Sequence, residues 1–196
     1  MFYTMVRTVL IPIVRILWLK RVAGIENIPA AGPAIIVANH ESYLDFFCLA
    51  VVCERRIHFM ATEKFFKKPM WGLLMRMTGQ IKVPENGISK EMLKESKAVL
   101  QAGELLGIFP EGTRSRTGKI GKAHPGAAKL ALQFNVPVVP VGINGAYEIL
   151  SPHDKFPKMQ KIIELQVGEP IATSNFYRDA DLFSNVMMRR IAALCY

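Results

Sequence analysis

An α/β fold, a single domain with a mostly parallel central sheet flanked by helices, is what this 196-residue chain predicts, and three observations predict it. Short uncharged runs that read as fully buried strands recur along the chain: Ala34–Ala38, Leu105–Phe109 and Val136–Ile143. Between them lie segments with apolar residues at helical spacing, so strands and helices alternate, as parallel pairing requires for its crossovers. No shift in composition divides the chain, and its length suits one domain with a substantial core.

The bulk composition narrows the partners. Hydrophobic residues make up 51% of the chain while the formal net charge is +9. Apolar and basic together fit an anionic membrane surface. Nucleic acid is disfavoured, because zinc-ligand spacing, a basic heptad region and an aromatic RNA-binding signature are all missing. Cys48, Cys53 and Cys195 are odd in number and form no C-x-x-C, which predicts reduced, largely buried thiols facing the cytosol. His40, His58, His124 and His153 have no clustered Cys or acidic partners, so no metal site is expected.

Taken in order, Met1 to Lys20 is rich in Val, Leu, Ile, Phe and Trp but broken by Arg7, Pro12 and Arg15. No run reaches the roughly 20 residues that cross a bilayer, and no small-residue cleavage site follows it. On a helical wheel Arg7, Arg15 and Arg21 share an arc of roughly 120°, with Phe2, Met5, Val6, Val9, Ile13 and Ile16 opposite. Two readings stand: a helix lying in the membrane interface with Trp18 and Lys20 near the headgroups, or a helix packed on the protein's own core. The first divides the chain into a membrane-anchoring helix over 1–20 and one domain over 21–196.

Val22 to Pro33 reads as a connector, punctuated by Gly24, Pro29, Gly32 and Pro33. The strand from Ala34 ends at Asn39-His40. Ser42 then reads as a helix N-cap, with Asp45 as the acidic half of a capping box and the helix running through Phe46 to Val52. Ile57 to Ala61 is a second strand. The stretch from Lys64 to Trp71 interleaves lysines with Phe, Met and Trp, and Leu73, Leu74, Met75 and Met77 follow. That pattern serves either core packing or a surface among anionic headgroups that admits an acyl chain. Gln80 to Val83 is a short strand, and Ile88 to Gln101 a helix with Ile88, Met92, Val99 and Leu100 inward and Gly103 as its stop. After Leu105–Phe109 come a basic loop, a helix from about Gly126 to Phe134, and the strand Val136–Ile143, whose prolines imply an edge or a bulge. Lys161 to Val167 alternates as a last strand, and Asp179 to Leu194 closes the chain as a helix. The ends carrying Asn39-His40 and Pro110-Glu111 then share one rim, where open α/β sheets place ligands.

Two constellations carry candidate chemistry. If His40 and Asp45 were both helical, five residues would set them about 140° apart, so they meet only with the histidine on the loop. In that arrangement the carboxylate accepts from one imidazole nitrogen and leaves the other as a base. The competing reading is a capping aspartate beside an unrelated loop histidine. Glu111-Gly112-Thr113-Arg114-Ser115 offers a glycine for close approach, a hydroxyl and a guanidinium able to grip phosphate with two parallel bonds. It reads as a phosphate cradle or as a solvated turn; it is not a Walker loop.

Together these stretches resemble the glycerolipid acyltransferase family. Asn39-His40-Glu41-Ser42-Tyr43-Leu44-Asp45 carries that family's H-x-x-x-x-D motif, and Phe109-Pro110-Glu111-Gly112-Thr113-Arg114-Ser115 matches F-P-E-G-T-R-S at every position. The similarity runs from about Val22 to Gly168, and Val136 to Ile143 resembles the fourth motif, with Pro140 at its proline. Within the family the chain is most like bacterial lysophosphatidic acid acyltransferases. The resemblance implies that His40 is the general base and Asp45 orients it, while Glu111, Gly112, Thr113 and Arg114 bind the acceptor's phosphate. It implies an acyl-CoA or acyl carrier protein donor, lysophosphatidic acid as acceptor, direct attack without an enzyme nucleophile, no metal and no cofactor. It also implies work at the cytoplasmic face of the cell membrane in phospholipid synthesis. One departure stands out. Gly79-Gln80-Ile81-Lys82-Val83-Pro84-Glu85-Asn86 lacks the arginine that ends the family's second motif, leaving Lys82, Lys122 or Lys119 as point charges in its place. Another lysolipid or a lipid amine is therefore an alternative acceptor, and a non-catalytic membrane lipid-binding protein is the alternative of another class.

Overall fold

Seven strands form one sheet in the computed structural model, which describes residues 2–85, 87–176 and 179–195, without the side chains of Phe2, Tyr3 and Val6. Met1, Asn86 and the expected outward placement of Phe2 and Val6 lie outside the described residues. The strands are β1 (Leu19–Ala23), β2 (Ala34–Ala38), β3 (Ile57–Thr62), β4 (Ile81–Val83), β5 (Leu105–Ile108), β6 (Val138–Asn144) and β7 (Ile163–Val167). Their order is β1-β7-β6-β2-β5-β3-β4, parallel throughout except for the β6–β7 pair. The helices are α1 (Phe2–Leu17), α2 (Leu44–Val52), α3 (Glu63–Lys67), α4 (Pro69–Met77), α5 (Lys90–Gln101), α6 (Gly126–Phe134), α7 (Ala146–Ile149) and α8 (Ala180–Leu194). The single α/β domain with a mostly parallel sheet is the fold that the sequence predicts.

β2 lies at the centre and is buried along its whole length. Its side chains alternate between faces: Ile36 and Ala38 pack with Cys48, Leu49 and Val52 of α2 and Val14 of α1, whereas Ile35 and Val37 pack with Leu130 of α6 and Phe183 and Met187 of α8. Both faces being covered, the strand carries no polar residue, which is why its run is uncharged.

Three local expectations need correction, and a fourth is decided between its two alternatives. Leu19–Ala23 is a strand parallel to β7, where the sequence places the end of a helix and the start of a connector. Only Leu19 is buried in it, so this edge strand has no alternating signal and its leucine continues the apolar run of α1. β6, expected at an edge or a bulge, is not an edge, since it pairs on both sides, but the bulge is present: its register shifts by one residue between Val141↔Val167 and Val138↔Ile171. Pro140 fits there because the nitrogen and carbonyl of a strand residue face the same neighbour. Its carbonyl accepts from Gly168 N–H at 2.8 Å, and pairing resumes at Val138 and Ile171, which exchange backbone hydrogen bonds of 3.0 and 2.7 Å, so the absent donor falls at the bulge between those two stretches of ladder. Ile88 is exposed, since the helix begins at Lys90 with Ser89 Oγ accepting from Met92 N–H at 3.1 Å; Met92 and Leu100 are buried as predicted. Ser42 does not cap α2 from the N-cap position, which belongs to Tyr43.

α1 packs on the protein's own core along one side and leaves an apolar stripe exposed along the other. Val14 is buried against the core, and Arg7 donates to the Ala50 and Val51 carbonyls at 3.1 and 3.2 Å, satisfying the last turn of α2. Met5, Val9, Ile13 and Ile16 face outward and are exposed. Among the described residues no helix is long and apolar enough to cross a membrane.

Candidate active site

The site grows from the neighbouring C-terminal ends of β2 and β5. Val37 is in register with Ile108, so the chain leaves the sheet at Asn39-His40 directly beside Phe109-Pro110-Glu111. Gly107 is what leaves room for the Phe59 ring to lie over β5: a Cβ there would be 2.5 Å from that ring. Phe59 backs Phe109 with parallel rings 6.0 Å apart, and Phe109 in turn stacks on the His40 imidazole at 4.1 Å. The ring of His40 is thus oriented from below by the strand next door.

His40 lies on the loop, and Asp45 is in the first turn of α2, as their pairing requires. Asp45 Oδ2 is 2.8 Å from His40 Nδ1 and also accepts the backbone N–H groups of Glu41 and Ser42 at 2.7 and 2.8 Å. The carboxylate is fully buried while the imidazole retains 17% of its surface. An oxygen that accepts two amides makes Nδ1 the protonated nitrogen and leaves the Nε2 lone pair outward. No described residue hydrogen-bonds Nε2. Asp45 is therefore the histidine's partner and also ties down the amides of the turn that leads into α2; with Tyr43 at the N-cap it does not complete a capping box. Its other oxygen, Oδ1, is buried without a partner among the described residues. Ser42 Oγ donates to the Leu150 carbonyl at 2.8 Å and accepts from Leu44 N–H at 3.2 Å, which engages it as a strut.

The second motif divides into a buried and an open half. Glu111 is 5% exposed, and its two oxygens accept His40 N–H at 2.8 Å and Gly121 N–H at 2.7 Å. Expected among the phosphate-binding residues, Glu111 has both oxygens engaged by backbone amides, an arrangement that favours a structural role over contact with an anion. It works as a cross-tie, helped by Ser115 N–H donating to the His40 carbonyl at 2.7 Å. Gly112, with φ +68°, turns the chain outward in the left-handed region. Gly112 and Thr113 are exposed, and the guanidinium carbon of Arg114 sits 3.6 Å from the centre of the Tyr43 ring. Arg114 is thereby held against the His40 loop, on a tyrosine three residues beyond the histidine. Lys119 and Lys122 flank Gly121 on the following loop and are exposed.

Lys82 lies on β4, the edge strand, in register with Ala61 and facing away from the buried Ile81. It reaches the rim two strands beyond β5, so it does not join the His40–Arg114 cluster directly. Glu85, near the end of that segment, lies 3.8 Å from Lys64.

Several supporting residues carried no separate signal in sequence. Asn39 is fully buried and bridges to β6, its Oδ1 accepting from Ile143 N–H and its Nδ2 donating to the Ile143 carbonyl, both at 2.8 Å. Glu41 turns inward, accepting from Asn39 Nδ2 at 3.2 Å and from Tyr147 N–H at 3.3 Å. Burial, with the charge of Asp45 second, pushes its carboxyl up to about 8. Tyr147 closes the circuit by donating its hydroxyl to the Arg116 carbonyl at 2.8 Å. A polar residue next to a motif histidine is indistinguishable by type from a solvated one; only the partners reveal Glu41 as buried.

Comparisons with known proteins bear on the same region. The family model described as Acyltransferase matches residues 20–144. The chain is 29% identical over 174 residues to the chloroplastic 1-acyl-sn-glycerol-3-phosphate acyltransferase of Arabidopsis thaliana, covering 87% of this chain and 48% of that protein. It is 28% identical over 152 residues to the 1-acyl-sn-glycerol-3-phosphate acyltransferase of Bacillus subtilis, covering 77% and 73%. It thus spans about half the length of the chloroplast relative. Among solved structures, the 1-acyl-sn-glycerophosphate (LPA) acyltransferase PlsC of Thermotoga maritima superposes with a TM-score of 0.81 at 25% identity, over 97% of this chain and 78% of that one.

Proposed function

Because the chain belongs to the acyltransferase family, we propose that it moves a fatty acyl group from an acyl thioester to the free hydroxyl of lysophosphatidic acid, giving phosphatidic acid. The observation that carries the reading is the His40–Asp45 pair at 2.8 Å, beside the outward-facing Gly112, Thr113 and Arg114. The names of relatives in bacteria and chloroplasts support the acceptor. His40 Nε2 takes the proton of the acceptor hydroxyl as that oxygen attacks the thioester carbonyl. Asp45 holds the tautomer and favours the imidazolium that results. When the tetrahedral intermediate collapses, the carbon–sulfur bond breaks and the thiolate leaves with the proton from His40. Gly112 and Thr113 let the acceptor's phosphate approach, and Arg114, steadied on Tyr43, supplies the bidentate grip.

The donor is acyl-CoA or acyl carrier protein, both acidic and both suited to a chain of net charge +9. The outer stripe of α1 would anchor the chain at the cytoplasmic face of the membrane. A second acceptor class, another lysolipid or a lipid amine, is favoured by one observation: the β4 segment brings Lys82 and Glu85 to the rim and no arginine. Thiol release from a long-chain acyl thioester, measured over lysophosphatidate and acceptors without phosphate, tests both. His40→Ala should lower turnover with lysophosphatidate by about 10²- to 10⁴-fold with the fold intact; near-normal turnover removes His40 from the mechanism. Arg114→Ala should raise KM for phosphate-bearing acceptors far more than for others. Equal effects would make that arginine a structural residue.

A further inference from the structure

Between α7 and β7 the chain reads Lys155-Phe156-Pro157-Lys158-Met159-Gln160-Lys161-Ile162, a segment that the chemistry above does not use. Phe156 is 73% and Met159 71% exposed, among the largest exposures of any big apolar side chain in the molecule. Lysines recur at every third position around them and no acidic residue intervenes. The base is anchored all the same. Lys158 N–H donates to the Ile149 carbonyl at 2.9 Å, its carbonyl accepts from Trp18 Nε1–H at 2.9 Å, and its ammonium reaches the Glu148 carbonyl at 3.0 Å. Phe156 and Met159 stand on either side of that fixed point.

The same fixed point leads to the reacting groups. Tyr147 N–H, in α7, donates to Glu41, and Leu150, just past that helix, takes the Ser42 hydroxyl at 2.8 Å, two residues from His40. Trp18 follows α1, whose outer stripe is exposed. Protein interfaces are depleted in lysine at their centres, whereas a lipid surface accepts lysines at the headgroups and apolar tips below them. Resting on the lipid-acylation reading, we infer that Lys155–Ile162 is a membrane contact of its own: Phe156 and Met159 insert among the acyl chains of an anionic bilayer, Lys155 and Lys161 meet its headgroups, and the rim bearing His40 is held at the surface from which the acceptor comes.

The test uses the full chain with Met159→Cys carrying a polarity-sensitive fluorophore, the three native cysteines being buried. Mixed with vesicles of phosphatidylcholine and phosphatidylglycerol, the label should shift to the blue and be quenched by brominated acyl chains. The pair Phe156→Ser and Met159→Ser should weaken co-sedimentation with those vesicles by at least about tenfold, with turnover of a short-chain, water-soluble acceptor unchanged. An unmoved emission, a double variant that sediments like the wild type, or a wild-type chain that binds phosphatidylcholine vesicles equally well each overturns the inference. Insertion of the label without any acylation would leave the membrane contact standing and remove the reaction. Acylation with the label still in water would do the reverse.

Discussion

At the scale of single residues, the two halves of the His40–Asp45 pair should fail differently when removed. His40 is part-exposed and stacks on Phe109, so His40→Ala should cost about 1 kcal/mol of stability while abolishing most turnover. Asp45→Ala strips the acceptor from two buried amides and the imidazole, and urea unfolding should show a loss of about 3 kcal/mol on top of the lost activity. Equal stability losses would mean that the aspartate does not hold the loop. Glu111→Ala belongs with Asp45: two orphaned N–H groups should lower stability by about 3 kcal/mol. A rise in acceptor KM at unchanged stability would instead return Glu111 to the phosphate site. Glu41 adds a pH signature. Its carboxyl ordinarily titrates at 4.5 and is pushed up to about 8 by burial and by Asp45, so between those values the folded chain keeps a proton that the unfolded chain releases. Its contribution to stability therefore declines as pH rises through that window and is level above it. Urea midpoints measured from about pH 5 to about pH 8 should fall more steeply for the wild type than for Glu41→Gln, and parallel slopes would contradict the buried carboxyl.

At the scale of elements, legibility followed burial. β2, β5 and α6 were readable because two-sided covering or a single inward face leaves a clear pattern; α6 spans the predicted Gly126–Phe134. β1 was not, because one buried leucine at a sheet edge sends no periodic signal, and Pro140 left an edge and a bulge equally open because only the pairing with β7 and Ile171 tells them apart. The motif residues were legible by type and spacing, but their division of labour was not: nothing in F-P-E-G-T-R-S says that the glutamate turns under and the arginine stays out. α1 shows what this means for experiments. Cutting away Met1 to Leu19 would also remove Arg7 from the end of α2 and the buried Val14 and Leu19, so loss of lipid binding would be confounded with damage to the core. Replacing Met5, Val9 and Ile16 with Gln touches only exposed positions and should change stability by no more than about 0.5 kcal/mol per site. If α1 lies in the interface, that triple variant should release the chain from anionic vesicles; retained binding would leave α1 as a helix that serves the core alone.

At the scale of the whole molecule, the sheet order makes one rim out of residues far apart in sequence, and the chain that bears it is strongly basic. A net charge of +9 raises the local concentration of any acidic donor, and this attraction is felt before contact and screened by salt. The screening length shortens from about 10 Å at 0.1 M to about 3 Å at 1 M ionic strength, so capture of the donor should weaken while bond-making, which depends on the buried Asp45 and its imidazole, should not. With a detergent-dispersed acceptor, so that vesicle binding does not enter, donor KM should rise across that range with kcat nearly constant. The rise should be steeper for an acyl carrier protein than for coenzyme A, because a larger acidic surface meets the basic one over more charge pairs. A fall in kcat at constant donor KM would place the salt effect on the reacting groups themselves, and the basic surface would then have no part in bringing the thioester to His40.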